Sequence, residues 1–227
     1  PMVGAVIVKN YKIIAEGFHK KPGTPHAEII AIQRAAEEAK EASLYVNLEP
    51  CCHTDKRTPP CTKAIIDAGI KKVFIAMIDP NPKVSGKGIE TLRNHGIEVT
   101  LGIYEEKARR LNESYIKYIT TKKPFVILKL ATTLDGKIAT SRGESKWITG
   151  EKALKLVHKL RSSVDAVMTA VGTVMADNPQ FTVRLIKKNP IKNPIRVIVD
   201  PDLKIPLEYN VFHIPPPTIV ITKEESL

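Results

Sequence analysis

Cysteine is scarce in this 227-residue chain: there are three, an odd number, and two of them are adjacent. That excludes a framework of paired disulfides and makes metal ligation in a reducing compartment the better use of the thiols. Aromatic residues are also few, at 5%, with a single tryptophan. No apolar run approaches the roughly 20 residues of a membrane-spanning helix, and no signal-peptide pattern is present. A cytoplasmic protein with no membrane partner is therefore expected. There is no internal repeat and no low-complexity segment. No Gly-x-Gly-x-x-Gly fingerprint occurs, so no Rossmann dinucleotide site is claimed. Acidic residues are outnumbered, 24 against 35 Lys and Arg, for a net charge of +11. That surplus suits an anionic partner, either nucleic acid or a phosphorylated small molecule, unless it is only a solvated lysine surface.

What is present reads as alternating strands and helices. Val3 to Val8 and Lys12 to Gly17 form an opening hairpin around Lys9-Asn10. A helix is expected from about His26 to Glu41, with Thr24 as N-cap and Pro25 near its first position. Strands follow at Leu44 to Leu48, Lys72 to Ile78 and Val99 to Leu101. Helices are expected at Cys61 to Ala68, Gly86 to His95 and Tyr104 to Thr121. This is a helix/sheet/helix α/β fold, with the hairpin making the sheet mixed. Pro124 divides it from a second α/β domain, giving domains 1–123 and 124–227. There, strands are expected at Phe125 to Leu130, Lys137 to Ala139, Ala166 to Ala170, Ile195 to Val199 and Thr218 to Ile221. Glu151 to Ser162 is a helix, Thr173 to Ala176 is one helical turn, and Arg184 to Pro194 is a basic, proline-containing surface loop. The chain opens directly in a strand pattern, and a helix begins at Glu224-Glu225 just before Leu227. A piece of a longer protein is expected.

The chemistry concentrates in Leu48-Glu49-Pro50-Cys51-Cys52-His53 and the residues up to Cys61, together with His26-Ala27-Glu28. A hydrolytic zinc site takes three protein ligands and keeps one position for water. His26, Cys51 and Cys61 are the candidate ligands, each at a strand-to-helix handover or a helix start, where the helix dipole favours thiolate. Glu28, in the same turn as His26, is the candidate general acid/base. It would take a proton from water and pass it to a leaving amine. Cys52 is the alternative to Cys51, and His53 is an alternative ligand or a polar group facing substrate. A purely structural zinc is the competing use, although a closed site has no need of an idle carboxylate beside it.

His-x-Glu followed by Pro-Cys and a later Cys resembles the zinc nucleoside and nucleobase deaminases. Most of these close the site with Cys-x-x-Cys, whereas nine residues separate Cys51 from Cys61 here. The long loop, with Arg57-Thr58-Pro59-Pro60-Cys61, resembles the deaminase domain of the bifunctional riboflavin-biosynthesis family known as RibD. So do Pro1 to Val6, Asp79-Pro80-Asn81-Pro82 and Gly86-Lys87-Gly88. The family's short helical segment and asparagine that precede Pro1 have no counterpart in the residues given.

Read from residues alone, the second half offers Lys129, Asp135, Ser145, Trp147, Thr149, Arg161, Asp177 and Arg184 for a polar pocket. Trp147 as core packing and Arg161 as a solvated helix residue are the bland alternatives. The resemblance adds more. Phe125 to Ala139, Gly143 to Gly150 and Ala176 to Arg184 look like the RibD reductase domain, which is similar to dihydrofolate reductase in fold and uses NADPH. Carried over, Ala131, Trp147, Thr173 and Asp177 would touch cofactor. Ser145, Arg161, Phe181 and Arg184 would touch substrate, with Lys129 a weaker candidate in the same pocket. Guanidinium groups suit a phosphate. The family's later glycine-rich cofactor loop has no counterpart in these residues, so an incomplete NADPH site is expected.

The resemblance thus implies a cytidine-deaminase-like three-layer domain followed by a dihydrofolate-reductase-like one, incomplete at its C-terminus. It implies zinc-dependent deamination of 2,5-diamino-6-(5-phosphoribosylamino)pyrimidin-4(3H)-one, then NADPH-dependent reduction of its ribosyl group to ribityl. The expected partner is this phosphorylated pyrimidine rather than nucleic acid, and a homo-oligomer, dimer or tetramer, is expected. A tRNA-editing deaminase and an inactive zinc-stabilised scaffold are the alternatives. The Cys51–Cys61 spacing argues against the first and Glu28 against the second. His53, Lys56 and Arg57, between the cysteines, are expected to face substrate.

Overall fold

A computed structural model describes residues 1–55, 58–186 and 192–226. It divides into two compact units, Pro1–Ile127 and Leu128–Leu227. Lys56 and Arg57, and the middle of the expected Arg184 to Pro194 loop, lie outside the described residues.

The first unit is built on a five-stranded mixed sheet of order β2-β1-β3-β4-β5. Strands β1 (Gly4–Lys9) and β2 (Lys12–Phe18) form the antiparallel hairpin, with Ala5 opposite Gly17. β1 also runs antiparallel to β3 (Ser43–Val46), while β4 (Lys72–Ile75) and β5 (Glu98–Leu101) continue parallel to β3. Period-two alternation decides which side chains enter the core. Ala5, Ile7, Leu44, Val46, Val73 and Ile75 point to one face and are at most 4% exposed. Helices α1 (Ala27–Ala35), α2 (Cys61–Asp67) and α3 (Lys87–Asn94) contribute Ala27, Ala31, Ile65, Ile89 and Leu92 to that same core. On the other face Tyr45 stacks on Phe74 with ring centroids 4.4 Å apart. Helices α4 (Glu105–Leu111) and α5 (Glu113–Thr121) close a smaller cluster of Leu48, Ala76, Met77 and Ala108.

Local expectations shift in two places here. The first long helix stops at Ala35 because Ala36 turns to φ 47°, and a 3-10 turn (Ala36–Ala39) follows. Its N-cap is His26 rather than Thr24, whose hydroxyl donates instead to the Lys21 carbonyl. The expected helix Tyr104 to Thr121 breaks at Asn112. That side chain is 1% exposed; it accepts from the Met2 N–H at 2.7 Å and donates to the Met2 carbonyl at 3.0 Å. Pinning a buried amide to β1's approach outweighs two uninterrupted helical turns.

The second unit carries a three-stranded parallel sheet, β6-β7-β8, from β6 (Ala166–Ala170), β7 (Ile195–Val199) and β8 (Thr218–Ile221). Its helices are α6 (Glu151–Arg161), α7 (Val171–Asp177) and α8 (Asn210–His213). Val174, Ile198, Ile205 and Val211 form its buried core. Arg196 is 1% exposed, donating to the carbonyls of Gln180, Ile214 and Pro216. The expected strands Phe125 to Leu130 and Lys137 to Ala139 are not formed. Both stretches are irregular, and Val126 and Leu128 are each 81% exposed. β-propensity yields a strand only where a neighbour pairs with it, and among the described residues these stretches have no ladder partner. Among the described residues no helix is long and apolar enough to cross a membrane.

Candidate metal centre and its pocket

Three chain positions converge at the carboxyl ends of β3 and β4. His26 sits at the N-cap of α1, in extended conformation, after a loop from His19. Cys51 follows β3 by five residues, and Cys61 is the first residue of α2, behind Pro60. One donor atom from each lies within 4.8 Å of the other two. The His26 Nδ1 is 3.5 Å from the Cys51 Sγ and 3.2 Å from the Cys61 Sγ. A tetrahedral zinc with its usual bond lengths would set nitrogen and sulfur about 3.5 Å apart, so the donor set fits that ion. With Nδ1 given to a metal, the imidazole proton sits on Nε2, where Thr58 Oγ1 stands 3.4 Å away to accept it. The Cys61 N–H donates to the Cys51 Sγ at 3.4 Å, the backbone contact that favours a thiolate.

Cys52 is partly exposed, lies outside the three-donor cluster, and has its thiol pushed up by burial and then by the charge of Glu49. His53 also lies outside the cluster. It lines the adjoining cavity, with Nδ1 buried and without a hydrogen-bond partner among the described residues and Nε2 3.9 Å from Asp55. Asp55 in turn pairs with Lys83, which holds its carboxyl below the usual range.

Glu28 is 3% exposed, in the first turn of α1, and among the described residues its Oε2 has no hydrogen-bond partner. Burial raises its pKa above the ordinary carboxylate value; the Cys51 charge acts in the same direction, opposed by its own backbone N–H and by His26. A carboxyl so placed can both take and return a proton.

His26, Glu28, Cys51 and His53 open into a cavity of about 180 Å³ that Asp79, Asn81 and Tyr115 also line. Asp79 is 6% exposed; its Oδ1 accepts the Tyr115 hydroxyl at 2.8 Å and the Asn81 N–H at 2.9 Å. Burial raises its pKa, and these two bonds pull it back. Asp79, Asn81, Tyr115 and the buried Glu49 were not among the residues singled out from sequence as site candidates. A polar Asp-Pro-Asn-Pro turn at the carboxyl end of a parallel strand was the available signal.

In the second unit Arg161, Phe181 and Arg184 come together. The Arg161 Nη1 donates to the Thr182 carbonyl at 2.8 Å, and its guanidinium lies 5.8 Å from the Phe181 ring centroid. Arg184 donates to Gln180 Oε1 and Thr182 Oγ1. Burial, and then the Arg184 charge, lower the Arg161 pKa. Thr173 and Asp177 lie one turn apart on α7, and Asp177 pairs with Lys146 at 3.6 Å, next in sequence to Ser145 and Trp147. Trp147 is 75% exposed. Lys129 is exposed and Ala131 half-buried, both on irregular chain; Asp135 accepts the Thr133 hydroxyl. Asp200, at the carboxyl end of β7, is 1% exposed with Oδ1 unpartnered among the described residues, and was also missed from sequence.

Two family models match the chain. Residues 1–77 match the cytidine and deoxycytidylate deaminase zinc-binding region, and residues 124–226 match the RibD C-terminal domain. Riboflavin biosynthesis protein RibD of Aquifex aeolicus is 53% identical over 227 residues, covering 100% of this chain and 63% of the relative. The Escherichia coli protein of the same name is 40% identical, covering 100% of this chain and 64% of its own length. A solved structure from Thermotoga maritima, a diaminohydroxyphosphoribosylaminopyrimidine deaminase/5-amino-6-(5-phosphoribosylamino)uracil reductase, superposes with TM-score 0.89. It is 50% identical and covers 98% of this chain and 63% of that one. Acinetobacter baumannii RibD gives a TM-score of 0.87 at 46% identity, covering 97% of this chain and 62% of that one.

Proposed function

The chain belongs to the RibD family of riboflavin biosynthesis, of which it spans about three-fifths (63% of the Aquifex relative), and from that premise we propose that its first unit deaminates 2,5-diamino-6-(5-phosphoribosylamino)pyrimidin-4(3H)-one. The observation that carries this reading is the buried Glu28 oxygen, without a hydrogen-bond partner among the described residues, beside a cluster of three donors that could hold a metal. Zinc bound there supplies a water that ionises near neutral pH. The chain's own residues do the rest. Glu28 takes a proton from water as the oxygen adds to the ring carbon bearing the amine and the C=N electron pair passes to the ring nitrogen. It then gives that proton to the amine, whose C–N bond breaks to release ammonia, while the proton of the added hydroxyl goes to the ring nitrogen and leaves a carbonyl. Asp79, Asn81 and His53 line the same cavity as the metal donors and present polar groups to the heterocycle. The low exposure of Glu28 keeps its proton from bulk water.

Residues 124–227 are proposed to reduce the ribosyl group with NADPH, which supplies the hydride. Arg161 and Arg184 grip the phosphate, with Ser145, Phe181 and Lys129 beside it. Ala131, Trp147, Thr173 and Asp177 take the cofactor.

Glu28→Gln tests the deaminase reading. The amide keeps the side chain's size but cannot shuttle a proton. Bound zinc, measured by elemental analysis, is expected to stay at the wild-type level, while ammonia release falls by about 10²–10⁴-fold. A variant that retains wild-type ammonia release overturns the assignment.

A further inference from the structure

Glu49 stands two residues before Cys51 and is 3% exposed. Among the described residues its carboxylate is held by four backbone N–H groups. Oε2 accepts from Asp79 at 3.1 Å and Gly86 at 3.0 Å; Oε1 accepts from Gly88 at 2.9 Å and Ile89 at 3.2 Å. The donors belong to two different places, the turn after β4 that carries Asp79 and Asn81, and the first turn of α3. The backbone of Glu49 adds a third tie, donating its own N–H to the Met77 carbonyl at 3.0 Å. The packing at this junction leaves no slack. A Cβ on Gly88 would stand 2.2 Å from the Pro50 carbonyl oxygen and 3.0 Å from Glu49 Oε1, so α3 lies directly on the Glu49–Pro50 backbone. Val84, between the turn and α3, packs against Cys51 and Cys61.

A helix cap alone would need one or two of these bonds. This carboxylate instead joins three pieces of chain: the loop that delivers the Cys51 thiol, the turn that delivers Asp79 and Asn81 to the cavity, and the first turn of α3. We infer that Glu49 is a positioning residue that sets the span between the Cys51 thiol and the Asp79–Asn81 wall, and thereby how tightly the substrate seats. The inference rests on the deaminase reading of the cavity. His26 and Cys61 stand on α1 and α2, and Cys51 is tied to α2 as well, by the Cys61 N–H on its Sγ at 3.4 Å and the Thr62 N–H on its carbonyl at 3.2 Å, so the donor set has support that does not pass through Glu49 and zinc is expected to be retained without it.

Glu49→Gln is the test. The amide keeps the volume, offers one acceptor oxygen, and turns an NH2 group toward N–H donors. Wild-type zinc content and an unchanged thiolate-to-metal absorption band in the cobalt-substituted protein are expected. KM for the diaminopyrimidine phosphate is expected to rise by about tenfold or more, with kcat falling by less than about threefold. An unchanged KM, a loss confined to kcat, or lost metal overturns the inference. Should the variant not fold, amide hydrogen exchange in the wild-type protein decides. Exchange at Gly86 and Gly88 is expected to slow further when the substrate's deaminated product is added, while Gly23 in the outer loop does not change. No effect at Gly86 and Gly88 overturns the inference. A wild-type protein that takes up zinc and releases no ammonia sinks the deaminase reading itself, and the substrate role of Glu49 with it.

Discussion

Replacing Gly17 by alanine probes the strand that holds the catalytic turn in place, without touching any site residue. Gly17 lies in β2 under α1. An added Cβ would stand 2.1 Å from the Ala27 carbonyl oxygen, 2.7 Å from the Ala31 nitrogen and 3.0 Å from the Ile30 Cβ. Ala27 and Ala31 are both 0% exposed, so nothing flexible can move aside. Real Cβ atoms do not approach closer than 3.0 Å, and α1 must therefore retreat by 0.9 Å (3.0 − 2.1) at its first turn. Overpacking of this kind costs about 1–3 kcal/mol. For a unit of this size that corresponds to a fall in Tm of about 4–12 °C. The chemistry should suffer more than the fold. Ala27 sits between His26 and Glu28, and a displacement of about 1 Å at a reacting group costs on the order of 10²-fold in rate. Thermal melting by circular dichroism and a coupled ammonia assay measure the two effects. Gly4→Ala is the control, because its Cβ would meet only the Gly17 carbonyl oxygen, at an ordinary 3.9 Å. A Gly17→Ala protein with wild-type Tm and wild-type ammonia release would refute the argument that helix–strand contact positions the site.

The second unit invites two further tests. His158 is 6% exposed and its Nδ1 accepts the Arg184 N–H at 3.0 Å; burial first, then the charges of Arg161 and Arg184, lower its pKa. A depressed histidine contributes stability that is fully present above its unfolded pKa of about 6.5 and is lost as pH falls through the lower folded value, by up to ~1.4 kcal/mol per pH unit. Tm should therefore drop between pH 7.5 and 5.5, and His158→Asn, which keeps an acceptor but does not titrate, should flatten that drop; equal slopes in both proteins would exclude the effect. A version extended past Leu227, which would carry the family's later cofactor loop, should bind NADPH saturably at concentrations up to ~1 mM, the usual ceiling for KM values, and Trp147→Phe should weaken that binding. A fluorescence titration of the extended protein that stays linear, with only inner-filter loss, would remove the reductase reading, and unchanged binding in the variant would remove Trp147 from the proposed cofactor site.

Short-range order was legible in the residues alone. Alternation in Gly4–Lys9 and Lys12–Phe18 dictates a hairpin with one buried face, and the 3.6-residue period of Ile29, Ile30, Ile32, Ala35, Ala36 and Ala39 announces a helix, although packing buries Ala27, Ala31 and Ala35 and leaves Ala36 exposed. The types and spacing of His26, Glu28, Cys51 and Cys61 were also enough to single out a metal-and-base cluster, and the fold brings the three donors within 4.8 Å. Tertiary structure decided the rest. Phe125 to Leu130 has strand composition yet stays irregular, because pairing is a property of two segments and not of one. Asn112 divides a continuous helical pattern because its partner, Met2, is 110 residues away. The carboxylate of Glu49 finds its N–H donors 30 to 40 residues downstream, and Asp79 meets the Tyr115 hydroxyl across 36 residues. A local pattern carries information about which face is apolar and which atoms can bind a metal. It carries none about which distant backbone group a buried carboxylate will satisfy, since that choice is made only when the loops pack and water is excluded.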